Sequence, residues 1–326
     1  MARILATNWI DDDTRALLAA HGEVDAPATR DVPAPDDVLR RAARADAMIA
    51  FMPDRVDARF LAAAPALKIV ACALKGFDNF DVAACTKAGV WVSIVPDLLT
   101  APTAELAVGL AIGLGRHVRA GDAHVRSGSF AGWRPTLYGT GLDGSTVAIL
   151  GLGALGKAVA KRLAGFGCRM LGFDADSHAS AENVERCTLD AALAQADYVV
   201  AALPLGTGAR HILGARAIAR CKPGALLVNI GRGSTVAEAA VADALERGHL
   251  GGYAADVFEM EDWALDDRPR TIDARLLGHP NTLFAPHLGS AVARVRRAIA
   301  LAAAENVLDV LAGRRPRDAV NDPARH

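Results

Sequence analysis

The chain has 326 residues, with 36 Lys+Arg against 37 Asp+Glu and a formal net charge of −1; at about 150 residues each, that length fits two domains. A composition that is 52% hydrophobic supplies ample core and excludes disorder over most of the chain. The even charge excludes a polyanion as main partner, so neither nucleic acid nor a membrane surface is expected, and only six cations are lysines: Lys68, Lys75, Lys87, Lys157, Lys161 and Lys222.

The run from Met1 reaches Asp11-Asp12-Asp13 too soon for a secretion signal, and no uncharged apolar stretch approaches the ~18 residues of a membrane span. Cys72, Cys85, Cys168, Cys187 and Cys221 are odd in number and contain no C-x-x-C pair, which argues against disulfides and a zinc knuckle. A cytoplasmic location with reduced thiols is expected. No H-E-x-x-H occurs among the nine histidines, and no metal is expected.

Short apolar runs predict strands at Ile4–Thr7, Ala47–Phe51, Lys68–Cys72 and Trp91–Val95. A second set follows at Thr146–Leu150, Arg169–Phe173, Tyr198–Leu203, Leu226–Ile230, Gly252–Asp256 and Thr282–Ala285. Between them Ala and Leu recur at helical spacing, as in Asp36–Arg44, Ala158–Phe166 and Ala237–Arg247. Such alternation predicts an α/β fold with two doubly wound parallel sheets, four strands in one and six in the other. A helix is predicted from Pro102 to about Arg126, and a last one from about Ser290 to Gly313. The last helix is expected to return to the first domain. That gives a discontinuous domain of residues 1–98 with 290–326 and an inserted cofactor domain of residues 99–289.

Gly151-Leu152-Gly153-Ala154-Leu155-Gly156 directly follows the strand Thr146–Leu150 and opens a helix. This is the G-x-G-x-x-G of a dinucleotide site: a tight turn, close approach of pyrophosphate to backbone, and free N–H groups at the helix start. Asp174, at the end of the next strand and 23 residues after Gly151, suits a ribose 2′-hydroxyl and repels a 2′-phosphate, so NAD is expected over NADP.

Three further strand ends carry ionisable groups. They are Asn229-Ile230-Gly231-Arg232-Gly233, Asp256-Val257-Phe258-Glu259-Met260-Glu261 and Ala285-Pro286-His287-Leu288-Gly289-Ser290. Arg232 offers a planar fork to an anion, and a carboxylate beside His287 would make it a tuned acid/base.

In this order the motifs resemble those of the D-2-hydroxyacid dehydrogenase family over nearly the whole chain. The resemblance implies that Arg232 anchors the anionic substrate, Glu261 pairs with His287, and His287 is the acid/base. It puts Asp256 near the nicotinamide, and Thr103 and Pro204 among the cofactor contacts. It also implies a homodimer. A departure is Asp262-Trp263 after the catalytic Glu, where Pro is usual.

Most members carry a small or apolar residue where this chain has Lys75, within Leu74-Lys75-Gly76-Phe77. Here the run resembles the phosphite-oxidising (phosphonate dehydrogenase) branch, as do Phe51-Met52-Pro53-Asp54 and Val95-Pro96-Asp97. That branch implies phosphite as the small anion, oxidised to phosphate with water as nucleophile. Lys75, Gly76, Met52, Arg232, His287 and Ser290 would line the substrate, Trp133 and Tyr138 would lie near it or on a dimer surface, and Arg296 would balance charge. The alternatives are a 2-hydroxyacid dehydrogenase acting as a glyoxylate or hydroxypyruvate reductase, and, more remotely, an NAD-sensing corepressor-like binding protein.

Overall fold

The computed structural model describes residues 1–206 and 208–323. The chain forms two units: Met1–Leu99 with Trp263–Asp266 and the residues from Ala291 on, and Thr100–Asp262 with Asp267–Ser290. Trp263–Asp266, expected within the cofactor domain, groups with the first unit, where Arg55 Nη1 donates to Asp266 Oδ1 at 3.1 Å.

The first unit runs β1 (Ala2–Ala6), α1 (Asp12–Ala19), β2 (Gly22–Asp25), α2 (Pro35–Ala42), β3 (Ala47–Ala50), α3 (Ala58–Ala63), β4 (Ile69–Cys72), α4 (Val82–Lys87) and β5 (Trp91–Ser93). Its five strands are all parallel in the order β2-β1-β3-β4-β5. One face, with Leu5, Met48, Val70 and Val92, is covered by Val38, Phe60, Leu61 and Cys85 of α2, α3 and α4. The other, with Ile4, Ile49, Ile69 and Ala71, is covered by Leu18 of α1 and by Val295, Ile299 and Val307 of the C-terminal helix Ala293–Leu311. Both faces of β3 and β4 are buried, so these strands read as continuous apolar runs rather than alternating ones.

The second unit continues with α5 (Thr100–Gly115), α6 (Val118–Arg126), β6 (Thr146–Leu150), α7 (Ala154–Leu163), β7 (Arg169–Phe173), β8 (Val184–Arg186) and α8 (Leu189–Gln195). It ends with β9 (Tyr198–Ala201), α9 (Ala215–Ile218), β10 (Ala225–Asn229), α10 (Glu238–Glu246), β11 (Leu250–Ala255), α11 (Ala274–Gly278) and β12 (Thr282–Phe284). Its seven parallel strands are ordered β12-β11-β10-β9-β6-β7-β8. The order reverses between β6 and β9, the switch point at which such sheets hold their ligands.

Each sheet has one strand more than the sequence predicts. Both extra strands, β2 and β8, pair on one side only and carry charged residues, so neither has the apolar run that marks a central strand. The helix predicted from Pro102 to Arg126 is interrupted. The Thr140 amide donates to the Gly115 carbonyl at 2.9 Å, and His117 turns the chain with a φ of 53° before α6 begins.

Candidate active site

The glycine loop sits at the switch point. Gly151 has a φ of 93°, and a Cβ on Gly156 would stand 1.8 Å from the Gly151 carbonyl oxygen, so the helix start packs on the strand end only without side chains. Gly153 is the N-cap of α7, without a side-chain cap bond and with open space where a Cβ would be. Ala154 and Leu155 form the first turn, whose N–H groups provide a seat for an anion. Asp174 follows β7; its Oδ2 accepts the Leu152 amide at 2.6 Å and its Oδ1 the Asp176 amide at 2.9 Å. Remaining lone pairs on both oxygens can still take ribose hydroxyls. The residues present therefore fit a dinucleotide, whose phosphates Gly153–Leu155 would seat and whose ribose Asp174 would take. Pro204 is exposed just beyond β9, in the loop whose Ala202 carbonyl approaches Gly151.

Arg232 follows β10. Asn229 shapes its turn: Asn229 Nδ2 donates to the Arg232 carbonyl at 3.1 Å, and the Gly231 amide donates to Asn229 Oδ1 at 3.2 Å. The flanking glycines are required by close approach. A Cβ on Gly233 would lie 1.9 Å from the carbonyl carbon of Phe258, and one on Gly231 would lie 2.4 Å from the Leu203 oxygen.

Glu261 closes a 3-10 turn, Glu259–Glu261, beyond β11. Its Oε1 accepts the Phe258 amide at 3.1 Å, and its Oε2 stands 2.5 Å from His287 Nδ1. Both side chains are about three-tenths exposed or less. His287 has a φ of 56°, a conformation that non-glycine residues keep only when their surroundings hold it. Asp256 does the holding: its carbonyl accepts the His287 amide at 2.9 Å, and its carboxylate accepts those of Leu288 at 2.6 Å and Gly289 at 2.8 Å. Burial pushes the Asp256 carboxyl above its ordinary range, against the lowering effect of the Leu288 amide, His287 and the Gly289 amide. Thr103 shares this corner, since a Cβ on Gly289 would stand 2.8 Å from its Oγ1 and 3.1 Å from Asp256 Oδ2. Ser290 ends the unit, half-buried.

The second unit thus brings Glu261, His287 and Asp256 into one bonded set, with the Arg232 turn packed against the start of the Glu261 turn. Trp133 and Tyr138 belong to the same unit and are 78% and 75% exposed. Lys75, Gly76 and Met52 belong to the first unit, after β4 and β3. Both segments are half-buried, and Asn79 Nδ2 ties them by donating to the Met52 carbonyl at 3.0 Å. Arg296 lies in the same unit, its guanidinium 5.9 Å from the Phe51 ring centroid. Glu238, Glu259 and His211, which no sequence motif marks, are bonded behind the Glu261 turn. The available signal was Glu259, two residues before Glu261 on one short turn.

Residues 108–289 match the family described as D-isomer specific 2-hydroxyacid dehydrogenase, NAD binding domain. Over 98% of this chain and 96% of theirs, glyoxylate reductases of Thermococcus litoralis and Korarchaeum cryptofilum are 32% and 34% identical to it. The solved TT0316 protein of Thermus thermophilus superposes with a TM-score of 0.89 at 33% identity, over 98% of this chain and 100% of that one. These relatives overturn the expectation of phosphite oxidation. That expectation leaned on Lys75, and one cation beside backbone amides suits a carboxylate as well as a phosphorus oxyanion. Among the described residues no helix is long and apolar enough to cross a membrane. With a family match over more than half its length and full-length relatives above 30% identity, this chain belongs to the D-isomer specific 2-hydroxyacid dehydrogenases, oxidoreductases that use NAD.

Proposed function

We propose that the protein reduces glyoxylate, and small 2-keto acids such as hydroxypyruvate, to the 2-hydroxy acids. The carbonyl gains a hydride on carbon and a proton on oxygen, and NADH becomes NAD⁺. The bound nicotinamide supplies the hydride. Arg232 binds the substrate carboxylate through its fork of N–H donors, and the glycines on either side fix where the fork begins. His287 is the proton donor. With Nδ1 turned to Glu261, its Nε2–H faces away and is the group free to protonate the carbonyl oxygen. Glu261 fixes that tautomer and balances the imidazolium. Asp256 acts on the backbone of the His287 loop, and a nicotinamide contact from its remaining lone pairs is part of this reading. The 2.5 Å approach of Glu261 Oε2 to His287 Nδ1 carries the proposal, supported by the names of the full-length relatives.

The test is NADH consumption with glyoxylate, hydroxypyruvate and pyruvate. Keto-acid-dependent oxidation that is lost in His287→Asn is expected; a folded protein with no such turnover overturns the reading. A homodimer is proposed as well. Helix α6 buries none of its residues, and Val125, Phe130, Trp133 and Tyr138, each more than half exposed, make an apolar stretch of the kind that association covers. Sedimentation as a monomer at micromolar concentration would refute it.

A further inference from the structure

The turns that carry Arg232 and Glu261 are joined by buried acids that the acid/base reading does not use. Glu238 and Glu259, 3% and 7% exposed, exchange hydrogen bonds. The Glu238 amide donates to Glu259 Oε1 and the Glu259 amide to Glu238 Oε1, each at 2.8 Å. The other oxygen of Glu259, Oε2, lies 2.7 Å from His211 Nε2. His211 keeps a φ of 51°, held there against its own backbone preference. Asp262 adds a link from the far side, its Oδ2 accepting the Ser234 amide at 2.6 Å.

Two carboxylates buried side by side are a costly joint, because desolvation and mutual repulsion both oppose it. Burial holds the Glu238 carboxyl up at about 7, with the charges of Glu259 and Asp273 adding to the rise and the amides of both opposing it. Tyr253 also faces the pair, and His211 lies on the Glu259 side. Near neutrality the pair therefore carries fewer than two full charges. What it provides that an apolar contact cannot is direction, since each bond fixes an angle as well as a distance.

We propose that Glu259, gripped by Glu238 and His211, is a positioning residue for Glu261. It pins the start of the three-residue turn, so the carboxylate at the turn's end stays aimed at His287 Nδ1. This rests on reading Glu261 and His287 as the acid/base pair.

The test compares Glu259→Ala with Glu259→Gln, which keeps one acceptor for the Glu238 amide. Should Glu259→Ala fail to fold, Glu238→Ala, which leaves the Glu259–His211 bond in place, is the second probe. For Glu259→Ala, kcat with glyoxylate is expected to fall about tenfold with KM within about twofold, as for an interaction felt only in the transition state. Glu259→Gln should recover most of the loss, and the loss should shrink in a Glu261→Gln background, where there is no carboxylate left to aim. A readout independent of turnover is the low-field proton resonance of His287 Nδ1–H, assigned by its absence in His287→Asn. It is expected to be lost or moved upfield in Glu259→Ala and kept in Glu259→Gln. An unchanged resonance in a folded variant, or a kcat loss that multiplies in full with that of Glu261→Gln, overturns the proposal. Absence of keto-acid turnover in the native protein counts against the functional reading alone, and the resonance still decides this one.

Discussion

His287 hangs from Asp256: its amide donates to the Asp256 carbonyl, and the Asp256 carboxylate takes the next two amides, Leu288 and Gly289. The imidazole is thus placed through its backbone by one buried acid and through its ring by a half-buried one, Glu261.

Asp256→Asn tests the backbone half. An amide offers one oxygen where the carboxylate offers two, and its NH₂ opposes an N–H donor. The buried, unpaired amide is expected to cost about 2 kcal/mol. Thermal unfolding should show the loss, and keto-acid turnover should fall about tenfold with little change in NADH KM.

Glu261→Gln tests the ring half. The amide can still accept from His287 but no longer balances a positive imidazole, so kcat should fall by about two orders of magnitude. Retained kcat, measured with saturating NADH and glyoxylate, would remove Glu261 from the mechanism.

Asp174→Ser with Ala175→Arg should move the cofactor preference toward NADPH, since the change exchanges a carboxylate for a cation beside the ribose. The Leu152 amide also loses a charged acceptor, so NADH KM should rise about tenfold or more. The ratio of kcat/KM for the two cofactors is the measurement. An unchanged ratio means the ribose is read elsewhere.

Asp54 sets a pH dependence in the first unit. It is 8% exposed, and burial raises its carboxyl to about 6, against the lowering effect of the Phe51 amide at 2.6 Å and the Thr7 hydroxyl. The folded chain then keeps this proton up to about pH 6 while the unfolded chain releases it near 4. This group therefore favours folding at pH 4 and loses that contribution as pH rises through 6, about 3 kcal/mol in all. Denaturant unfolding of native protein and Asp54→Asn across pH 4 to 7 should differ by that slope.

The pieces legible in the sequence were those whose chemistry is local. The glycine loop announces itself because one turn must be bare, and Arg232, Glu261 and His287 draw notice as ionisable groups beyond apolar strands, while the roles proposed for them come from the family resemblance. The buried acids Glu238, Glu259 and Asp54 were not legible, since a residue letter does not say which carboxylate is covered or which distant amide covers it. β2 and β8 escaped for the same reason: an edge strand is defined by its neighbour, and Gly22-Glu23-Val24-Asp25 carries no sign of Ala2–Leu5 beside it. Lys75 misled in the opposite direction, because a residue type was asked to name a substrate that its geometry does not distinguish.

The C-terminal helix Ala293–Leu311 has a consequence for synthesis. Ile49, Ile69 and Ala71 leave the ribosome more than two hundred residues before Val295 and Ile299, their covering, do. The whole second unit emerges in that interval and can close on its own sheet, while the nascent first unit waits with one apolar face open. Closure of that face waits on Ala293–Leu311, and a chain ending before Ala293 would leave it as a permanent target for chaperones and proteases.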